Sequence, residues 1–248
     1  RPTNTWDYPV FLVIACLSVL FPLIKYANLK EHFFPNLTIK TRKILIGILL
    51  VFGLGLLSYM LYIPFSTWYG RAYTTIDLWS GDKTPLGSYL THWGLFVFVI
   101  YSWLITELVA WMKTTPLSEL NRFYLHRRLI FFCSAVVTTI LIALIWQSVV
   151  VSIIIIPAVV LSTVLMFRKD LPDEKRVLHL LISIGMGLTL LVEVIVLSGD
   201  IGRMNTVFKF YLQAWSCLAI SSSWSAISLM QRRKQRVKQG VKSGWTTI

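Results

Sequence analysis

Apolar residues run along this chain in blocks, and short polar or basic segments separate the blocks. Each block is roughly 15 to 25 residues long, the length a helix needs to span hydrocarbon. The pattern predicts helices near 8–24, 43–63, 86–112, 128–146, 149–167, 177–197 and 205–230. The fourth and fifth come from one run, Leu129 to Phe167, which is too long for one span. Gln147 and Ser148 interrupt it and predict a tight hairpin. One long tilted helix with a re-entrant piece is the alternative, and it would invert everything downstream.

Composition supports a membrane reading. Of the 248 residues 56% are hydrophobic and 14% charged, against roughly 25% charged in soluble domains. Mean hydropathy is +0.68. A soluble fold must cover itself with polar groups, and a bilayer removes that demand. The predicted fold class is therefore all-α, a polytopic transmembrane bundle of about seven spans in the cell membrane. Residues 1–230 form the membrane domain and 231–248 a basic, mobile cytoplasmic tail. The chain opens with Arg1-Pro2 and shows no signal-peptide pattern, which reads as a processed or partial polypeptide.

Net charge is +13. In a soluble domain that excess would suggest nucleic acid. Here the cations sit between apolar runs and bias topology, so nucleic acid is not an expected partner. Segments 25–43, 113–128, 168–176 and the tail hold 19 of the 24 Lys and Arg residues. These segments alternate along a seven-helix chain, which puts the N-terminus outside and the tail in the cytoplasm. The hairpin at Gln147 is needed for that alternation. Membrane lipids are the expected surroundings, and the tail can also lie on anionic lipid. Residues 116–125 resemble a short amphipathic segment at the inner interface. Cys16, Cys133 and Cys217 lie in apolar runs with no paired spacing, and read as small buried hydrophobes rather than disulfide or zinc partners.

Polar residues of unusual kind gather on the predicted outer side. Asp7 stands at the start of the first helix, as a helix-end charge or facing a cavity. The loop 64–87 mixes Trp68, Tyr69, Tyr73 and Trp79 with Arg71, Asp77, Asp82 and Lys83, either as a headgroup-level aromatic belt or as a surface suited to a sugar or lipid headgroup. Thr84 and Pro85 predict the N-cap and first position of helix three. His92 follows without a second outer His to share a metal. Glu193 lies about one turn below the outer end of helix six. A charge there costs up to roughly 2.5 to 3.5 kcal/mol and is normally turned to a partner or a wet cavity.

Asp200 and Arg203 follow in the connecting loop. Asn205, Lys209 and Gln213 are spaced i, i+4, i+8 and form one polar stripe on helix seven about 12 Å long. Phe208, Tyr211 and Trp215 form an aromatic stripe beside it. Two readings are open. One is an internal ion-pair network joining Glu193 or Asp200 to Arg203 or Lys209. The other is an outward-opening cavity with cations for an anionic group and carboxylates for acid–base or metal chemistry. The proposed site gathers Asp7, Glu193, Asp200, Arg203 and Lys209 at the outer end of the bundle.

The segments NTWDYP at 4–9 and, downstream of Glu193, GDIGRMNTVFKFYLQAW at 199–215 resemble the "YYY" family of multi-spanning membrane proteins. That family is grouped with the GT-C glycosyltransferase superfold. The resemblance implies an enzyme working on a polyprenyl-phosphate sugar at the outer face. In that reading Arg203 and Lys209, with Asn205 and Gln213 beside them, hold the substrate. Asp7, Asp82, Glu193 or Asp200 then supplies the base or binds a divalent metal. The family's upstream Tyr-rich segment has no counterpart here, so the chain is expected to correspond to the C-terminal portion of such a protein. The alternative is a non-catalytic accessory subunit of a larger membrane complex, with other membrane subunits as partners. A transporter ranks third, since Gly185 and Gly187 are the only hint of a broken helix and helix packing explains them.

Overall fold

The computed structural model describes residues 7–28, 37–68, 75–115, 127–168, 171–199 and 201–245. The chain divides into two units, Arg1–Thr74 and Thr75–Ile248. The first contains α1 (Asp7–Lys25) and α2 (Ile39–Trp68), which pack on each other. Lys43 Nζ donates to the Ile24 carbonyl at 2.7 Å. It satisfies one of the carbonyls that the last turn of α1 leaves without an intrahelical partner.

The second unit contains α3 (Leu86–Thr114), α4 (Arg127–Trp146), α5 (Ser152–Met166), α6 (Asp173–Val194) and α7 (Met204–Trp245). It also holds two short antiparallel strands, β1 (Ile76–Leu78) and β2 (Ile195–Leu197). Helix α6 is the hub and packs against α5 and α7, while α3 lies against α7 and α5. Trp103, Ile100, Ile155, Ile182, Met186 and Leu218 form the fully enclosed core. Small polar residues are buried with them: Ser152, Ser162, Thr189, Ser221 and Ser225. Association of helices in lipid has no hydrophobic drive of its own, so close approach and hydrogen bonds do the work. Ser162 accordingly shares a 3.0 Å hydrogen bond with His179 Nδ1 across the α5–α6 contact.

The hairpin predicted at Gln147 is present. Ser148 has φ of 64°, and Val149 N–H closes back on the Leu144 carbonyl at 2.8 Å. The 129–167 run is therefore two helices. Among the described residues there are seven helices, and five of them are long and apolar enough to cross a membrane: α1, α2, α3, α4 and α6. Helix α5 has only 15 residues, about 22 Å of rise against about 30 Å of hydrocarbon. Helix α7 is long enough, but its serines, Lys209 and Gln213 lower its hydropathy. Helix α7 continues unbroken to Trp245, past the helix end near residue 230 that the sequence predicts. Lys, Arg, Gln and Val in that stretch all tolerate helical backbone, and no Pro stops it. Residues 116–125 and Asp200 lie outside the described residues.

Candidate functional site

The site is assembled where α6 ends. Its penultimate residue, Glu193, has 0% exposure. The backbone then leaves the helix and pairs as β2 with β1, in the register Ile76 with Leu197, Asp77 with Val196 and Leu78 with Ile195. Beyond the pairing, Trp79 N–H donates to the Val194 carbonyl at 2.8 Å. The loop that precedes α3 is thus laid directly over the end of α6. Trp79 Nε1 donates to the Asp82 carbonyl at 3.0 Å and folds the loop under its own indole. A side chain at Gly81 would meet that ring, with a Cβ only 2.3 Å from Trp79 Cζ2.

The Glu193 carboxylate receives two hydrogen bonds and one ion pair there. Thr84 Oγ1 donates to Oε1 at 2.6 Å, and Thr84 N–H donates to Oε2 at 3.0 Å. Arg203 Nη1 lies 2.8 Å from Oε2. The guanidinium also donates to the Val192 carbonyl at 2.9 Å and, from Nη2, to Thr84 Oγ1 at 2.8 Å. It stands over the Trp79 ring, 5.6 Å from the centroid, as a cation–π contact. Lys83 Nζ closes the group, donating to the carbonyls of Trp79 at 2.6 Å and Glu193 at 2.9 Å. Burial pushes the Lys83 amine below its ordinary pKa; the Glu193 carboxylate pulls the other way, and Arg203 adds to the lowering.

Arg203 reaches this position through a turn that needs glycine. Gly199 and Gly202 have φ of 83° and 61°, in the left-handed region that other residues rarely adopt. Thr206, in the first turn of α7, accepts from Leu197 N–H at 3.0 Å and ties that turn to β2. On the outer edge of the strand pair, the Ser198 hydroxyl donates to Asp77 Oδ2 at 2.5 Å and accepts from Thr75 Oγ1 at 2.6 Å.

A second charged cluster surrounds Glu107, which is 2% exposed on α3. Lys175 Nζ lies 2.7 Å from Oε1, Arg168 Nη1 lies 3.8 Å from Oε2, and Arg232 Nη2 also donates to Oε1. The Arg168 guanidinium sits over Trp111 at 5.5 Å. Arg176 holds the neighbouring loop by donating to the carbonyls of Met166 at 2.7 Å and Leu171 at 3.2 Å, and also to that of Arg168. Lys175 and Glu193 occupy opposite ends of α6, 18 residues or about 27 Å apart.

The family model described as uncharacterized membrane protein (DUF2298) matches residues 1–218. The chain belongs to the DUF2298 family. No curated protein and no solved structure matches it. With five helices able to span, this DUF2298 chain is a multi-pass membrane protein.

Within the DUF2298 match the predicted residues fall as follows. Glu193 and Arg203 are brought together, with Thr84, Lys83 and Trp79 completing their cluster. The Asp82 carboxylate is exposed on the same loop. Gln213 is buried at 1% exposure, while Asn205 and Lys209 are half-buried on α7. Of the aromatic stripe, Tyr211 packs 5.0 Å edge-on against Trp93, but Phe208 and Trp215 are exposed. Asp7 begins α1, in the other unit. Thr84 is not the helix cap expected of it. Pro85 occupies that position without a side-chain hydrogen bond, because the Thr84 hydroxyl is turned to Glu193. The Glu107 cluster was not anticipated. Its signal was present, since Glu107 is the sole acidic residue in the apolar run 86–112, and a lone acid in a span implies a partner.

The chemistry open to the Glu193 cluster is narrow. A carboxylate with 0% exposure, held by two hydrogen bonds and an ion pair, neither takes a proton from a substrate nor binds a metal without dismantling those contacts. Among the described residues no three His, Cys, Asp or Glu side chains gather into one group.

Proposed function

We propose that this DUF2298 chain serves as a non-catalytic, structural subunit of a membrane protein assembly, and that the Glu193 cluster is a clamp fixing the loop 75–84 to the end of the helix bundle. One observation carries the reading. The charged groups best placed for chemistry, Glu193 and Arg203, are engaged with each other, with Thr84 and with backbone carbonyls. A clamp of this kind gives a loop a defined shape in a region where α6 can no longer supply one. It leaves Asp77, Leu78, Asp82 and Ile201 exposed as a fixed surface.

The second reading is a GT-C-type transferase acting on a polyprenyl-phosphate sugar. It is favoured by the exposed Asp82 carboxylate on a loop that also carries the Trp79 indole, since aromatic faces beside carboxylates suit sugars. One pair of measurements separates the two. The purified chain in lipid nanodiscs is incubated with a labelled polyprenyl-phosphate hexose, and detergent-solubilised native membranes are run on a native gel. The structural reading expects the donor to remain intact and the chain to migrate well above its own mass plus micelle. Donor consumption that disappears in Asp82→Asn would overturn it in favour of the transferase.

A further inference from the structure

The Glu107 cluster is charged out of balance. Three cations, Arg168, Lys175 and Arg232, surround one carboxylate, and their side chains are only 16%, 22% and 29% exposed. Among the described residues Glu107 is the only carboxylate within ion-pair distance of any of them. Asp173 pairs instead with Arg176, at 3.6 Å. Counted over the described residues, the cluster therefore keeps a surplus of two positive charges, largely withdrawn from water. Desolvated charge without a counter-charge is unfavourable, and an anion seated beside it relieves the imbalance.

A cavity stands where such an anion would sit. It has a volume of about 370 Å³ and is lined by Lys175, Trp224, Ser228, Gln231, Arg232 and Gln235. Ser228, Gln231, Arg232 and Gln235 share one face of α7, at i, i+3, i+4 and i+7. They present a hydroxyl, two carboxamides and a guanidinium fork to the same space, and Lys175 adds a compact ammonium from α6. A guanidinium fork with hydroxyl and amide donors matches the several oxygens of a phosphate better than a single-atom anion. Lys175 places the cavity at the first turn of α6, an apolar helix long enough to span, where the headgroups of a bilayer would be.

We propose that this pocket binds a phosphate group, supplied by the headgroup of an anionic phospholipid, and that the lipid completes the charge balance of the Glu107 cluster.

The test uses the full chain in phosphatidylcholine nanodiscs. Phosphatidylglycerol is added in steps and retained lipid is counted by native mass spectrometry; inorganic phosphate is titrated separately by calorimetry. One phosphatidylglycerol is expected to stay bound after neutral lipid has been stripped. The double variant Ser228→Leu with Gln231→Leu fills the cavity without touching an ion pair, and should lower retention by about tenfold or more. Glu107→Gln raises the surplus charge and should tighten retention by about tenfold, the reverse of what a purely structural salt bridge would do. Equal retention of phosphatidylglycerol and phosphatidylcholine overturns the proposal. So does retention that the cavity-filling variant leaves unchanged. Inorganic phosphate binding without retained lipid overturns the lipid as the source.

Discussion

Thr84 donates its hydroxyl to Glu193 Oε1 at 2.6 Å and its backbone N–H to Oε2 at 3.0 Å, across 109 positions of sequence. This pair of bonds joins the start of α3 to the end of α6. The same hydroxyl accepts from Arg203, so one small side chain touches both members of a buried ion pair. Thr84→Val keeps the shape and removes the hydroxyl. A hydrogen bond to a charged group contributes about 1.5 to 3 kcal/mol, and the variant should lose that much in denaturation of the detergent-solubilised protein. Thr84→Ser should lose much less. Equal stability of the valine variant and the parent would show that the contact does not hold the site.

Removing either charge of the Glu193–Arg203 pair leaves the other uncompensated. Glu193 is the more deeply buried, with side-chain exposure of 0% against 14% for Arg203. Arg203→Met should therefore be the more damaging single change, at about 3 to 5 kcal/mol. Glu193→Gln should cost less, because the amide still accepts from Thr84. Arg203→Met combined with Glu193→Gln should recover part of the loss, giving a coupling energy of about 1 to 3 kcal/mol in a double-mutant cycle. Strict additivity would mean that the two residues do not interact.

The helical class, the hairpin at Gln147 and the demand of Glu193 for a partner were all legible in the sequence. They follow from run length, from one polar interruption and from the cost of a charge in hydrocarbon. The choice between Arg203 and Lys209 as that partner was not legible. It depends on a turn built from Gly199 and Gly202, and hydropathy says nothing about where such a turn aims the next side chain. Thr84 was misread for a related reason. A Thr before Pro at a helix start looks like a cap, and only the return of α6 to the same place gives its hydroxyl a stronger acceptor. The Glu107 cluster shows the opposite case. Its acid stood alone in an apolar run, while its cations came from two segments, 168–176 and the tail, that topology counting treats as interchangeable positive charge.

Gly185 and Gly187 lie two residues apart on α6 and should respond oppositely to alanine. A Cβ at Gly185 would lie 2.7 Å from Leu218 Cδ2, 2.8 Å from its Cγ and 3.2 Å from Cys217 Cβ. A Cβ at Gly187 meets nothing within 4 Å. Gly187→Ala should stabilise the helix by up to about 1 kcal/mol. Gly185→Ala should be destabilising by about 1 to 3 kcal/mol, because α6 and α7 must separate to admit the methyl. Thermal unfolding of the two variants in the same detergent compares them directly. A stabilising Gly185→Ala would contradict the close α6–α7 approach.

The Lys83 amine should titrate below its ordinary value of 10.5, since burial outweighs the pull of Glu193 and Arg203 adds to the lowering. The sign for stability follows. Between the folded and unfolded values the unfolded chain binds more protons, so stability rises with pH across that window, and below it the penalty for a buried ammonium is constant. Amine-reactive labelling of Lys83, followed by peptide mass spectrometry over a pH series, should show a midpoint below 10.5. A midpoint at or above that value would mean that the amine is more solvated than its two carbonyl partners imply.

The orientation of the chain rests on charge. The loops and tail predicted to be cytoplasmic carry 19 of the 24 basic residues, and short basic loops resist translocation. The structure adds a constraint within the second unit, because α6 places Lys175 and Glu193 at its two ends. The loop bearing Asp82 goes with Glu193, and the segments bearing Arg168 and Arg232 go with Lys175 and Glu107. Single cysteines at Asp82→Cys and Arg236→Cys, in a background with Cys16, Cys133 and Cys217 replaced, report the two sides. A membrane-impermeant maleimide applied to intact cells should label position 82 and leave position 236 untouched until the membrane is opened. Labelling of both positions from one side would overturn the separation of the two clusters across the bilayer, and labelling of position 236 alone would invert the topology.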